Sequence, residues 1–494
     1  MELTCIIIIF LCSKLGWYVR FIRQKIKLSS VSVAFFFLFC IPAIAIPQSY
    51  KYPKELDLRL EKVLNFDFSK TNYELSAKVK NTTSPLDILP TCNQVLLKTL
   101  FYTTDSERLH KEYEINTNLL DKIEKLEKNS AEWGYVKTRL LINKTLIHFF
   151  REEYFSALWS AYRANSLFSE TYYKYPDYPP LHALASVYNL GVKIVIEKNS
   201  FIEYFISKPF KVDSNLIKIN WSESEKPIFD AIVNNLLNEN SENKTEVKVK
   251  TETEKLIYAF YYLNSGLSQN AIDISNNNSL INNPLDNYIK GWANLTLGNY
   301  RLAEKQFNKH IESPENVVFK RASLLGLYYI EIINGSKSSR TLYLNRLSLM
   351  PKSNFFRDKM AEREIKTEHH PKLLKARLLF DAKLYSKAKN ELNSVNVKKL
   401  SPEFKLEYYY RYGRILFQLQ DYDYSLEKFQ KALDPDMPEK SYYKAQSAYD
   451  CGKIYVIKNN IEKARNYFNQ SIQYAKKANR KDIEDKAKSE LNKL

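Results

Sequence analysis

Small residues recur along the C-terminal half of this 494-residue chain at a spacing that leaves few architectures open. Ala259, Gly291, Gly326, Ala376, Gly413 and Gly452 form one column. Twelve residues after each stands a second small residue: Ala271, Ala303, Ser338, Ala388, Ser425 and Ala464. Sixteen after, five of the six positions are large and apolar (Phe307, Leu342, Leu392, Phe429, Phe468), with Ser275 the exception. Nine after, Tyr300, Tyr385 and Tyr422 recur in GNY, KLY and QDY, and the units start 32, 35, 50, 37 and 39 residues apart.

A helical hairpin requires this spacing. The first helix carries a small residue where the second crosses it, so the two backbones can approach. A short turn follows, and its aromatic covers the open end of the hairpin. The second helix returns with its own small residue, and four positions on it places a large apolar residue on the same face. One such hairpin cannot bury its apolar stripe alone; stacked neighbours bury it, and a small rotation per unit winds the stack into a superhelix. Gly is scarce, at 10 residues, which disfavours turn-rich β folds.

The pattern of small, eleven residues, small, three residues, Phe, with a mid-unit DY, resembles the tetratricopeptide repeat. It is clearest in YRYGRILFQLQDYDYSLEKFQKAL and YDCGKIYVIKNNIEKARNYFNQSIQYA, and weakest in the units at Ala259 and Gly326. Over 255–494, particularly from HPKLLKARLLFDAKLYSKA onward, the chain is similar to exported, largely uncharacterised tetratricopeptide proteins of Bacteroidetes. The resemblance implies an all-α, right-handed superhelical solenoid of about six hairpins over 254–494, and a habit of binding rather than a reaction. The 50-residue step between Gly326 and Ala376 implies an extra loop or turn around Pro351–Pro371.

The preceding half, 46–237, is helical by pattern but divergent. LDLRLEKVLNF, NQVLLKTLFY, LHKEYEINTNLLDKIEKLE and LLINKTLIHFFREEYFSALWSAYRANSLF place apolar residues three and four apart. The last reads as one divergent hairpin, with Thr145 at the small site and Tyr154, Ala157 and Ala161 in the corresponding places. YKYPDYPP breaks the chain before an apolar helix expected over 181–196, and the polar run 238–253 reads as a linker between the halves.

Residues 20–45 carry an address. Arg20, Arg23, Lys25 and Lys27 precede an apolar run, Val31 to Ile41, that ends in Ala43-Ile44-Ala45, as in a signal peptide cleaved after Ala45. The alternative, an anchor retained through 31–46, falls short of the ~20 residues of a spanning helix. Residues 1–18 read as a mis-annotated extension, so residues 1–45 as a whole are expected to be absent from an exported, periplasmic or outer-membrane-associated product. Beyond them only Cys92 and Cys451 remain. Cys451 occupies a core-facing position, and buried thiols are expected rather than a bridge across so long a loop.

No catalytic signature occurs: there is no Walker loop, GxSxG, HExxH, GxGxxG or CxxC. His369-His370 is the only histidine cluster and lacks supporting ligand spacing; His148 and His182 read as core-edge residues, and neither a metal nor a cofactor is expected. The net charge of +18 is dilute, with no basic stripe or module for nucleic acid, so a protein or peptide partner is expected.

The position after each small residue falls where this repeat lines its concave groove: Phe260, Trp292, Leu327, Arg377, Arg414 and Lys453. The groove is therefore expected to grade from apolar to cationic, flanked by Tyr288, Tyr410 and Tyr449 three positions earlier. Such a groove suits an extended peptide carrying acidic groups or a terminal carboxylate. Together these readings point to an exported non-catalytic scaffold. The alternative is a glycan-binding or glycan-processing component of the envelope, against which Trp133, Trp159, Trp221 and Trp292 fall mostly on apolar helix faces.

Overall fold

The structure is a computed structural model describing residues 53–68, 81–102, 106–182, 184–185, 251–276, 283–314, 318–335, 339–351, 353 and 355–494. The expected signal peptide, most of the helix expected over 181–196, Trp221, Ser338 and nearly all of the expected linker lie outside these residues. The described residues are helical, without strands.

Six helical hairpins follow one another: α6 (Glu252–Asn264) with α7 (Ser268–Asn276), α8 (Pro284–Leu297) with α9 (Tyr300–Glu312), α10 (Lys320–Ile333) with α11 (Ser339–Leu349), α13 (Pro371–Asp381) with α14 (Tyr385–Asn393), α15 (Pro402–Gln418) with α16 (Tyr422–Ala432), and α17 (Tyr442–Ile457) with α18 (Ile461–Lys477). Local chemistry sets their boundaries. Proline occupies the first turn of α8, α13 and α15, where its missing N–H leaves no helical bond unmade. Thr251 opens α6 with a reciprocal capping box to Glu254. Helix α6 thus begins inside the stretch expected to be a linker, and Thr253 is buried with its hydroxyl donated to the Leu64 carbonyl at 2.5 Å.

Seven residues after the small column the backbone turns left-handed in five units: Gly266, Gly298, Lys383, Gln420 and Asn459 have φ of 73°, 87°, 58°, 60° and 54°. Each ends its first helix in a Schellman turn; in the fifth unit the Asp421 N–H bonds Leu416 O at 2.9 Å and the Gln420 N–H bonds Phe417 O at 3.0 Å. In the third unit the turn falls at Gly335, two residues late. The second helix of this unit is out of register with the others: Leu342 is 56% exposed and Tyr343 is buried in its place.

The small column does what the spacing demanded. A Cβ placed on Gly413 would lie 2.6 Å from the Phe429 ring, and one on Gly452 2.6 Å from the Phe468 ring. Phe307 lies against two units at once, so that a Cβ on Gly291 would come within 2.6 Å of it and one on Gly326 within 2.3 Å. The long step before Ala376 holds an additional helix, α12 (Phe356–Glu364), packed on α10, where a loop or turn was expected. A last helix, α19 (Lys481–Leu491), buries Ile483 and Ala487 against the final hairpin, with Glu484 buried between Lys481 and Lys488 and Asp485 and Lys486 exposed, capping the stack.

The N-terminal half holds α1 (Lys54–Leu64), α2 (Leu89–Phe101), α3 (Ser106–Ile123), α4 (Ala131–Phe150) and α5 (Tyr154–Lys174). Helices α4 and α5 form the hairpin read from the sequence: Thr145 and Ala157 are buried, Ala161 is half-buried, and the turn again falls seven residues on, at Glu152 with φ 62°. This half has an apolar cluster of its own, which includes Leu60, Ile88, Val95, Tyr135, Val136 and Phe168, and it also contributes to a second one. Val63, Leu97, Phe101 and Leu146 share one apolar cluster with Phe260, Trp292, Phe307 and Leu327. The hairpins from α13 onward have small clusters of their own. The described residues therefore form a body with two large apolar clusters, followed by an arm with smaller ones.

Candidate functional site

Each first helix of the stack lies beside the first helix of the next unit, whereas no comparable packing joins consecutive second helices. The first helices therefore line the tighter, inner wall. Along that wall the structure divides the nine expected groove residues.

Phe260, Trp292 and Leu327 are buried in the shared core at 2%, 7% and 3% exposure, and they line no open surface. Tyr288 is fully buried and stacks on Phe319 at 4.9 Å. The apolar end of the expected groove is core: Phe260 packs on Tyr288 and Phe319, Trp292 packs on Phe307 and Tyr329, and the N-terminal half joins the same cluster, where the Val318 N–H donates to the Phe101 carbonyl at 3.0 Å. Tyr410 is buried too, against Tyr443 at 5.0 Å, while Tyr449 is half-buried beside Phe468.

The three basic residues are half-buried on the inner wall of the arm, each over an aromatic ring of the preceding unit. Arg377 lies over Tyr329 at 5.8 Å, Arg414 over Phe380 at 4.4 Å and Lys453 over Phe417 at 5.0 Å. The supporting rings are themselves braced by the mid-unit tyrosines, Tyr385 on Phe380 at 5.3 Å and Tyr422 on Phe417 at 5.7 Å. A cation on a ring is held by the ring quadrupole, by about 0.5–2 kcal/mol depending on desolvation.

Their chemical states differ. Arg377 is consumed by Glu364, its Nη1 2.9 Å from the carboxylate, which also accepts the Tyr329 hydroxyl at 2.6 Å. Burial alone would raise the Glu364 carboxyl, but Arg377 and the Tyr329 hydroxyl hold it down to about 2. This cluster joins α10, α12 and α13 and is a structural pair. Arg414 and Lys453 have cation–ring contacts but no ion pair.

Four carboxylates absent from the sequence expectation face the same wall. Glu364 and Glu407 are taken by Arg377 and Arg411, the latter at 2.5 Å. Asp381 and Asp450 form no ion pair; the Gln446 amide donates to Asp450 at 3.2 Å. The wall is mixed in charge rather than cationic. Two positions before the small column the sequence does carry a signal: Ile257, Ile289, Leu324 and Leu374 are buried, then Arg411 and Asp450 are half-buried. Apolar residues there mark the covered first helices α6, α8 and α10 and the transitional α13, and charged ones mark the open wall of α15 and α17.

Elsewhere, His369 Nε2 meets the Glu364 carbonyl at 2.9 Å, His148 pairs with Glu153 at 2.5 Å, and His182 meets the Pro176 carbonyl. No group of His, Cys, Asp and Glu among the described residues is arranged to hold a metal. Cys92 and Cys451 are buried free thiols in different clusters, and burial pushes Cys92 up to about 11. Among the described residues no helix is long and apolar enough to cross a membrane.

No protein-family model and no curated protein matches the sequence. Among solved structures the chain is similar to a human IFIT1 dimer with m7Gppp-AAAA, at 12% identity and TM-score 0.26 over 92% of this chain and 96% of that one. It is also similar to yeast Tom70, at 15% identity and TM-score 0.24 over 89% and 96%. Superpositions this loose leave the argument with the chain's own geometry, which is that of a helical-hairpin solenoid.

Proposed function

We propose that the chain is an exported, non-catalytic scaffold whose C-terminal arm binds a protein or peptide partner along the inner wall of α13, α15 and α17. Acidic groups or a terminal carboxylate of the partner would meet Arg414 and Lys453. One observation carries this reading: two cations on consecutive first helices rest on aromatic rings, and neither forms an ion pair among the described residues. An Arg held flat on a ring keeps its N–H edge free, and that edge matches a carboxylate bidentately. Extended peptides dock on such rows by charge and aromatic contact together.

The test replaces Arg414 and Lys453 by Gln and measures partner capture from the native cell at two salt concentrations. Capture that falls and loses its salt dependence supports the reading, whereas unchanged yields refute it. The glycan reading gains one feature, since Trp159 is 58% exposed and stacked on Tyr162 rather than set in an apolar face. A thermal-shift screen against glycans and charged peptides separates the two. Export rests on residues 20–45, and N-terminal sequencing of the mature chain tests it: a start beyond Ala45 supports it, and retention of residues 31–46 refutes it.

A further inference from the structure

The acids and cations of the inner wall fall into two sets. Arg377 with Glu364 and Arg411 with Glu407 are closed pairs. Asp381, Arg414, Asp450 and Lys453 are charged groups that share a neighbourhood without pairing. Arg414 feels both Asp381 and Asp450, and Asp450 feels both Arg414 and Lys453. Asp381, Arg414 and Asp450 stand on the successive, mutually packed first helices α13, α15 and α17, with Lys453 one turn beyond Asp450. The exposed and half-buried charges therefore form a row that alternates in sign: Asp381, Arg414, Asp450, Lys453.

Opposite charges on flexible side chains ordinarily collapse together, so their separation needs a cause. Arg377, Arg411, Arg414 and Arg357 all act on Asp381, and each is anchored elsewhere. Arg377 is on Glu364, Arg411 on Glu407, Arg414 on the rings of Phe380 and Tyr410, and Arg357 on the Asn264 side chain. Asp381 is fixed as well: its carbonyl packs on the first hairpin turn so closely that a Cβ on Gly266 would lie 2.4 Å from it. Its side chain is open to solvent, yet lies in a concavity where displaced water raises the carboxyl above its usual range, even against four guanidinium charges. A carboxylate so placed gains more from an added cation than one in bulk water.

We infer that the row Asp381–Arg414–Asp450–Lys453 selects an extended peptide whose charges alternate, with basic groups seated at the two aspartates and acidic groups at Arg414 and Lys453. Spacing supports this. Same-face side chains of an extended peptide stand roughly 7 Å apart, close to the ~8–10 Å between packed helices that separates the helices of Asp381, Arg414 and Asp450, while Lys453 lies one turn from Asp450 on α17. A uniformly acidic peptide would satisfy the two cations and leave two carboxylates facing its own charge. The inference deepens the proposed function and rests on it.

The experiment measures fluorescence anisotropy of the full-length chain with three labelled peptides of equal length: all-Glu, all-Lys and alternating Glu-Lys, each spaced by the same apolar residues. The alternating peptide is expected to bind about tenfold tighter than all-Glu, a ratio worth ~1.4 kcal/mol. Asp381→Asn should bring that ratio close to one while all-Glu binding holds or improves, and Arg414→Gln should weaken both acidic-group-containing peptides. All-Glu binding at least as tight as the alternating peptide, or a ratio untouched by Asp381→Asn, overturns the inference and leaves the acidic-peptide reading standing. Absence of binding by any peptide at low salt removes that reading with it. Asp381 is exposed, so a circular-dichroism melt unchanged from wild type confirms that the variant is folded.

Discussion

Replacing Gly413 by Ala tests the packing on which the arm depends, because two opposing effects of known size meet at one atom. In a helix interior Ala is favoured over Gly by about 1 kcal/mol, and Gly413 lies well inside α15. Without a tertiary constraint the substitution would stabilise. The new Cβ, however, would stand 2.6 Å from Cδ1 and Cε1 of Phe429, where carbon pairs settle at ~3.5–4.0 Å. Phe429 is fully buried, so its ring cannot swing into solvent, and the helices must separate by about 1 Å. Overpacking of this kind costs ~1–3 kcal/mol, and a contact this short belongs in the upper part of that range. The expected net change is a loss of about 1–2 kcal/mol.

The sign should reverse when the ring is removed. Phe429→Ala alone should cost ~3–5 kcal/mol; added to that background, Gly413→Ala meets open space, and only the gain of about 1 kcal/mol survives. A double-mutant cycle should thus show a coupling of ~2–3 kcal/mol. Because body and arm need not unfold together, the readout is native-state hydrogen exchange of the α15 and α16 amides rather than a single melting temperature. If Gly413→Ala stabilises those amides in the wild-type background, or the cycle closes within ~0.5 kcal/mol, the account of the small column fails.

Three further outcomes follow from other sites. Gln420→Gly should stabilise the arm by roughly 0.5–1 kcal/mol, because φ of 60° is strained for any residue with a Cβ; exchange of α15 amides reads it, and a loss of protection refutes it. Arg377→Gln should destabilise the α12–α13 junction by ~1–2 kcal/mol after allowance for solvent at the partly exposed pair, whereas Lys453→Gln should change stability by less than about 0.5 kcal/mol; equal effects in thermal melts would contradict the division into structural and free cations. Glu112 is buried at 7% exposure, and burial raises its carboxyl to about 7, against Lys98 and Lys111, which lower it. A raised folded value means its contribution is whole below the ordinary range of about 4.5 and is lost as pH rises through 7, up to about 3 kcal/mol. Glu112→Gln should therefore raise stability at pH ~8 and flatten the decline between pH ~5 and ~8; a decline unchanged in the variant refutes the assignment.

The hairpins were legible because their cause is local. A small residue, a turn seven residues on and a large apolar residue at sixteen describe one pair of rods, and no distant segment needs to be known. The third unit shows the limit of such reading. There α10 runs two residues further before its turn at Gly335, and a fixed count of sixteen lands on exposed Leu342 rather than buried Tyr343. The groove was half legible. Arg377, Arg414 and Lys453 stand on the inner wall as spacing placed them, but Phe260, Trp292 and Leu327 are buried in a cluster that also takes in Val63, Leu97, Phe101 and Leu146, more than a hundred residues upstream. Spacing within a repeat carries no information about what packs on it from outside.

That covering is what separates a body from an arm built on one repeat. In the first three units the positions around the small column are apolar on both sides, Ile257 and Phe260, Ile289 and Trp292, Leu324 and Leu327, and an inner wall so composed could not remain in water. The rings of neighbouring repeats and the cluster shared with Val63, Leu97, Phe101 and Leu146 hold it out of water. From Gly413 onward both positions are charged, Arg411 and Arg414, then Asp450 and Lys453, while the Ala376 unit is intermediate, with buried Leu374 and half-buried Arg377. Arg414 and Lys453 are each set on a ring that the preceding hairpin supplies and its own tyrosine braces. Phe380 and Phe417 thus serve two neighbours at once, closing a hairpin on one side and holding a charge on the other. A Phe380→Leu change should keep the hairpin shut yet free Arg414 to fall onto Asp381, so that ligand capture drops about tenfold while exchange protection of α13 and α14 stays near wild type. Equal loss of both would mean that the ring acts only as core, and that the wall has no preset charge row to offer a partner.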